Sequence, residues 1–196
     1  MSKRYAYVNG SVVGRDEARV GIDDRGLLYG DGLYETIRVR NSRCVRFEGH
    51  LERLRAGMEV LGFTQRPSDS EIVNAVGSVL EANGLTDARV RLTVTRGLSE
   101  GPGRTGLSAN PPTVIVTADP LPESRPQPAR VIFSSVRKDE SSPLCGVKSL
   151  NHLPNVFGRI EAERAGVDDG LFLNTLGNVC EGLVANIVLV KGDSLI

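Results

Sequence analysis

Val147-Lys148-Ser149-Leu150-Asn151-His152-Leu153-Pro154-Asn155 places one lysine between an apolar, small-residue run (Pro143, Leu144, Cys145, Gly146, Val147) and the start of a helix. A lysine on a surface helix usually sits among other charges, and this one does not. Apolar neighbours disfavour an ammonium and lower its pKa, which frees the amine to act as a nucleophile. A desolvated lysine of this kind can form a Schiff base with a carbonyl. The plainer reading is a lysine at a strand end whose head reaches solvent. The rest of the chain bears on the choice.

Downstream, Leu153, Val156, Phe157 and Ile160 mark one helix face, Pro154 suits a first turn, and Ala165-Gly166 ends the element. Gly170 to Leu173 reads as a strand, Thr175 to Asn178 as a turn, and Leu183 to Val190 as another strand. Gly192-Asp193 turns the chain and Leu195-Ile196 begins a returning strand. A domain rarely leaves a new apolar strand unpaired, so a longer parent chain is expected.

Upstream of the lysine, Ala129 to Val136 opens a second domain. Before it, four prolines (Pro120, Pro122, Pro126, Pro128) stiffen an extended linker. The expected organisation is therefore a domain over 1–119, a linker over 120–128 and a second domain over 129–196. In the first, Tyr5 to Val8 and Val12-Val13 form a hairpin on Asn9-Gly10. Arg15 to Gly26 is a loop, and Leu33 to Val39 alternates as a half-buried strand. Asn41-Ser42 turns the chain, and Cys44 to Phe47 returns it. Leu51, Leu54, Met58 and Leu61 stripe a helix over 48–62, with His50 and Arg53 away from the middle of the stripe. Ser68 and Glu71 make a capping box for a second helix, which Asn83-Gly84 stops. Ala88 to Thr95 and Thr113 to Thr117 are strands, separated by a glycine-rich loop over 97–110.

Lys+Arg and Asp+Glu are 24 each, so the formal net charge is zero and nothing argues for a nucleic-acid or membrane-surface partner. Hydrophobic residues make up 40 %, enough for a proper core. Cys44, Cys145 and Cys180 have unrelated spacings and form no disulfide framework, which fits a reduced compartment. With no signal segment after Met1 and no apolar run long enough to span a bilayer, a cytoplasmic protein is expected. Gly97 to Thr105 lacks the ending of a phosphate-binding loop, Asp23, Asp24 and Asp31 lack EF-hand spacing, and two histidines make a zinc site unlikely; no metal is expected.

A lysine Schiff base points to pyridoxal phosphate. Such a site needs an amine, an acid facing the pyridine nitrogen so that the ring acts as an electron sink, and donors for the phosphate. Lys148 is the amine. Glu181, a lone acid within Val179 to Val188, needs a partner if it is buried, and a protonated ring nitrogen would serve. Arg53 is the phosphate candidate. The plainer readings are a solvent-facing hairpin acid and an exposed helix arginine.

Four blocks carry a resemblance along nearly the whole chain: Asp24 to Glu35 (DRGLLYGDGLYE); His50-Leu51-Glu52-Arg53-Leu54; Lys148-Ser149-Leu150-Asn151 running to Glu161-Ala162; and Glu181-Gly182 followed by Asn186-Ile187. In their order and spacing they resemble the fold-type IV pyridoxal-phosphate enzymes: branched-chain aminotransferase, D-amino-acid transaminase and 4-amino-4-deoxychorismate lyase. The resemblance implies a two-domain α/β fold, with a small N-terminal domain and a larger barrel-like C-terminal domain that is incomplete here. The chain would hold roughly two-thirds of such an enzyme.

By the same resemblance, Lys148 is the Schiff-base and proton-shuttling lysine, Glu181 the pyridine-nitrogen carboxylate and Arg53 the phosphate arginine. His152 and Val184 fall at cofactor-side positions. Tyr34 is a substrate-side aromatic and Arg104 a carboxylate-binding arginine. The run Leu183-Val184-Ala185 departs from the small or hydroxylated residues usual there, Val188 stands where an aromatic is common, and His152 replaces tyrosine, leucine or arginine. A homodimer with small amino-acid and keto-acid substrates is implied. The leading expectation is an aminotransferase. The alternatives are an aminodeoxychorismate lyase, which would release pyruvate, and a non-catalytic relative of the same fold.

Overall fold

The computed structural model describes residues 3–99, 101, 106–107, 109–122 and 127–196. The chain divides into two compact units. One comprises 1–123 with 146–150, and the other 124–145 with 151–196. The short segment carrying Lys148 thus belongs with the first unit, although its chain neighbours belong with the second.

The first unit is a six-stranded sheet in the order β2-β1-β6-β5-β3-β4. β1 (Tyr5–Val8) and β2 (Ser11–Gly14) form the expected hairpin, with Asn9 and Gly10 both at positive φ. This pair of conformations matches the twist of a tight hairpin turn. β3 (Gly32–Arg40) pairs antiparallel along its length with β5 (Ala88–Thr95), and β5 with β6 (Thr113–Pro120). β4 (Arg43–Cys44) covers only the end of β3.

Strict alternation buries Leu33, Ile37 and Val39 of β3 and Ala88, Val90, Leu92 and Val94 of β5 on one face. α2 (Phe47–Val60) and α3 (Asp69–Ala82) supply Leu51, Leu54, Met58, Ile72, Ala75, Val76 and Val79 to the same core. Ser68 caps α3, its Oγ accepting from the Glu71 N–H at 3.1 Å. The 15–26 stretch is not loop throughout, because α1 (Arg25–Tyr29) begins inside it. Asp24 caps that helix and is itself fully buried, accepting from the hydroxyls of Thr95 and Thr113 at 2.9 and 2.7 Å. No hydrophobic periodicity announces so short an element; its signal is the Asp24 cap and the Gly30 that ends it at φ 66°.

The second unit is smaller. β7 (Val131–Lys138) runs parallel to β8 (Asp169–Asn174), which pairs antiparallel with β9 (Val179–Gly182). α4 (Leu153–Arg164) packs on this sheet through Gly158 and Ala162, beside Phe172 and Leu183. A hairpin of β10 (Val190–Lys191) and β11 (Ser194–Leu195) follows, turning at Gly192-Asp193 as expected. The strand expected over 183–190 is a correction. Ladder pairing with β8 ends at Gly182, whose N–H turns back to the Ala185 carbonyl at 2.8 Å. The Leu183 N–H still reaches the Gly170 carbonyl at 3.0 Å, and the chain over 183–189 is then irregular. An apolar run becomes a strand only where a neighbour takes its backbone groups; among the described residues no strand does so from Val184 to Val188, and pairing resumes only where Leu189 and Val190 meet Ile196 and Leu195. Among the described residues, no helix is long and apolar enough to cross a membrane.

Candidate active site

Lys148 enters at the start of β3, beyond the reach of the short β4. The Tyr34 N–H donates to the Lys148 carbonyl at 3.1 Å, the Leu150 N–H donates to Gly32 O at 2.9 Å, and Leu33 faces Ser149 across an antiparallel bridge. This register sets Lys148 opposite Tyr34, so both side chains share the sheet face turned away from α2 and α3. The Lys148 ammonium lies 4.5 Å from the centre of the Tyr34 ring. Of the apolar run before the lysine, Val147 packs against the core of this unit, whereas Leu144 and Cys145 are exposed.

Arg91 completes this face. It lies diagonally from Tyr34, being paired with Thr36, and its guanidinium carbon sits 4.0 Å from the centre of the same ring. Burial pushes its pKa below the ordinary guanidinium value, and it makes no ion pair among the described residues. Sequence reasoning passed over Arg91 because an arginine alternating with valine and leucine reads as the solvent face of a strand. Only the register brings it to Tyr34 and Lys148.

On the opposite face, Glu35 occupies a core position with 1 % of its surface exposed. Arg53 of α2 grips it through two bonds, Nε to Oε1 at 2.7 Å and Nη2 to Oε2 at 2.5 Å, and His50 Nδ1 lies 2.7 Å from Oε2. Hydrogen bonding to Glu35 holds the Arg53 pKa above its ordinary value. Nε and Nη2 are thus committed to Glu35, and half of the side chain is exposed. The sequence signal was present, since Glu35 breaks an otherwise apolar face, but its partners lie on another element.

The second unit carries the remaining candidates. Glu181 on β9 pairs with Lys138 at 3.1 Å, so it has an ionic partner within its own sheet. His152 precedes the first turn of α4, its carbonyl accepting from the Val156 N–H and its Nε2 buried. Val184 is 82 % exposed within the turn after β9. Arg104 lies outside the described residues.

The description "Amino-transferase class IV" belongs to the family model that matches residues 32–196. The chain belongs to this family. A putative branched-chain-amino-acid aminotransferase of Methanocaldococcus jannaschii is 36 % identical over 193 residues, covering 96 % of this chain and 66 % of its own. The aminodeoxychorismate lyase of Bacillus subtilis is 31 % identical over 189 residues, covering 95 % of this chain and 64 % of its own. Among solved structures, the T.th. branched-chain amino acid aminotransferase with pyridoxamine 5'-phosphate superimposes with a TM-score of 0.87 at 25 % identity, covering all of this chain and 67 % of its own. The class IV chain thus spans about two-thirds of the length of these relatives. Over the matched length, the fold of that structure is the mixed α/β fold seen here.

Proposed function

We propose that this class IV chain carries the pyridoxal-phosphate machinery of an aminotransferase that moves an amino group between an amino acid and a 2-keto acid. The observation that carries the reading is Lys148, set by backbone register against Tyr34 with Arg91 on the same ring. A half-buried amine and a guanidinium on one aromatic ring, the latter outside any ion pair among the described residues, are a donor set for a carbonyl compound that also bears a carboxylate.

The donor types are those that pyridoxal phosphate needs: an amine, a guanidinium and a carboxylate. Lys148 would hold its aldehyde carbon, Nη1 of Arg53 its phosphate, and Glu181 its ring nitrogen, with His152 and Val184 beside it. When bound, pyridoxal phosphate supplies an electron sink for the pair left at the substrate Cα. The chain's own part is positional and acid–base. Arg91 binds the substrate carboxylate, with Arg104 a second candidate for that role. The Tyr34 ring sets the height of the Lys148 amine. The Lys148 Nζ takes the Cα proton and returns it after rearrangement, so one group serves as base and then as acid. Glu35 acts through Arg53, holding its fork in one orientation. A homodimer in the cytoplasm is the expected form.

The likeness to the Bacillus subtilis lyase favours a second reading, in which the same lysine serves elimination of pyruvate. Pyruvate formed without a keto-acid acceptor would decide for it.

Borohydride reduction of the protein with pyridoxal phosphate, followed by peptide mass spectrometry, tests the leading assignment. The expected result is a pyridoxyl adduct on Lys148 and its loss in Lys148→Ala. An adduct elsewhere, or none in the parent, would defeat the assignment.

A further inference from the structure

The second unit holds an ion pair of which only one member, Glu181, has been given a role. Lys138 ends β7 and Glu181 lies on β9, with β8 between them. The Lys138 ammonium reaches across β8 to within 3.1 Å of Glu181 Oε1 and rests 4.4 Å from the centre of the Phe172 ring. Phe172 pairs directly with Glu181 in the β8–β9 register and is completely buried. A Cβ on Gly158 of α4 would lie 3.4 Å from the edge of that ring, so the helix backs it closely. The ammonium therefore sits on a buried, closely packed ring and has two contacts, the ring and the carboxylate.

We infer that Lys138 is a positioning residue that holds the direction of the Glu181 carboxylate. This rests on the reading that Glu181 faces the pyridine nitrogen. A carboxylate aimed at that nitrogen has to keep one direction. A lone carboxylate at a strand end has several rotamers, and one tied to an anchored ammonium has fewer.

The other titratable groups nearby do not replace Lys138. Glu140 is engaged by the Thr175 hydroxyl and backbone, which together with its own backbone hold its carboxyl below the usual range. The Cys180 thiol is pushed up, first by partial burial and then by the charges of Glu181, Cys145 and Glu140, and it stays neutral near pH 7. Lys138 is the cation in ion-pair contact with Glu181 among the described residues.

The test compares the parent with Lys138→Met, Lys138→Gln, Lys138→Arg and Glu181→Gln. Two quantities are read: the Kd for pyridoxal phosphate, and the pH midpoint of the bound cofactor's visible absorbance. Lys138→Met and Lys138→Gln are expected to weaken binding about tenfold, the size of one lost charge-assisted contact. They should also move the midpoint in the same direction as Glu181→Gln, and Lys138→Arg should restore both readouts. Thermal unfolding of the cofactor-free proteins reports whether each variant folds; should Met fail, the contrast of Gln with Arg decides. Parental values in Lys138→Met and Lys138→Gln, with Glu181→Gln displaced, would overturn the role of Lys138 and leave that of Glu181. Parental values in Glu181→Gln as well would overturn the reading of Glu181, and the inference with it. A parent that binds no cofactor would overturn both.

Discussion

Glu35 is the residue whose surroundings ask most of the sequence. It sits on the core face of β3 between Leu33 and Ile37, where a carboxylate without partners would cost several kcal/mol. Arg53 and His50, three residues apart on α2, supply those partners. Arg53 therefore has a structural task before any anion arrives. Arg53→Ala leaves Glu35 buried with His50 alone, and we expect a loss of about 2–3 kcal/mol in cofactor-free stability by urea denaturation. That is below the full cost of a broken buried pair because Arg53 is half exposed. Arg53→Lys should recover only part, since a lysine cannot make the paired contact. Unchanged stability in Arg53→Ala would mean that Glu35 does not depend on it. The HLERL block announces the arginine, but not that it is held by a residue fifteen positions before the helix histidine. That pairing exists only once β3 and α2 pack.

At the scale of elements, the hairpin, α2, α3, β5 and α4 were legible because each has a clear period or a turn or cap signal. The tail of β9 was misread because a run from Leu183 to Val190 looks the same whether or not a neighbour accepts it. The Lys148 segment was legible as chemistry and not as structure, because its addition to β3 is a long-range pairing. Gly32 lies where that segment and β5 both meet the start of β3. A Cβ there would lie 2.6 Å from the Val94 carbonyl oxygen and 2.8 Å from Leu150 Cδ1. Gly32→Ala should displace residues 148–150 from β3, seen as faster hydrogen exchange at the Tyr34 and Leu150 amides and weaker cofactor attachment. Parental exchange at both amides would show that the strand absorbs the methyl group.

In the second unit, Glu161 of α4 accepts from the buried Ser134 hydroxyl at 2.6 Å and from the Ser135 N–H, and these bonds hold its carboxyl below the usual range. A carboxyl depressed in the folded state stabilises it above the unfolded value and loses that contribution as pH falls through the folded one. The parent should lose stability below about pH 4.5, the ordinary value of this carboxyl. Ser134→Ala should flatten that acid limb while leaving the slope near neutrality alone. An identical acid limb in the variant would refute the coupling of α4 to β7.

At the scale of the molecule, the two units are unequal. The first encloses a broad core between its sheet and two helices, whereas the buried core of the second centres on Ala162, Phe172 and Leu183. The first also presents apolar side chains around α1 that its own core does not take up. Ile22 is 79 % exposed and Leu27 67 %, and Leu98 lies beside Gly21, where a Cβ would meet its side chain at 2.8 Å. The backbone beneath them is stiff. Arg25 and Arg96 both bind the Asp31 carboxylate, Arg25 Nη1 reaches the Gly106 carbonyl, and Arg96 also reaches the carbonyls of Leu61 and Gly62. Such anchoring holds hydrophobic side chains outward in a fixed arrangement, as a self-complementary interface requires. A zero net charge offers no long-range repulsion between copies. We therefore expect a homodimer through this patch. Sedimentation velocity should give a dimer for the parent and a monomer for the Ile22→Asp/Leu27→Asp double variant, because each buried aspartate would lack a partner. The far-ultraviolet circular dichroism should stay parental, since both side chains already face solvent in the single chain. A parent that sediments as a monomer at micromolar concentration, or a double variant that stays dimeric, would place the interface elsewhere or remove it.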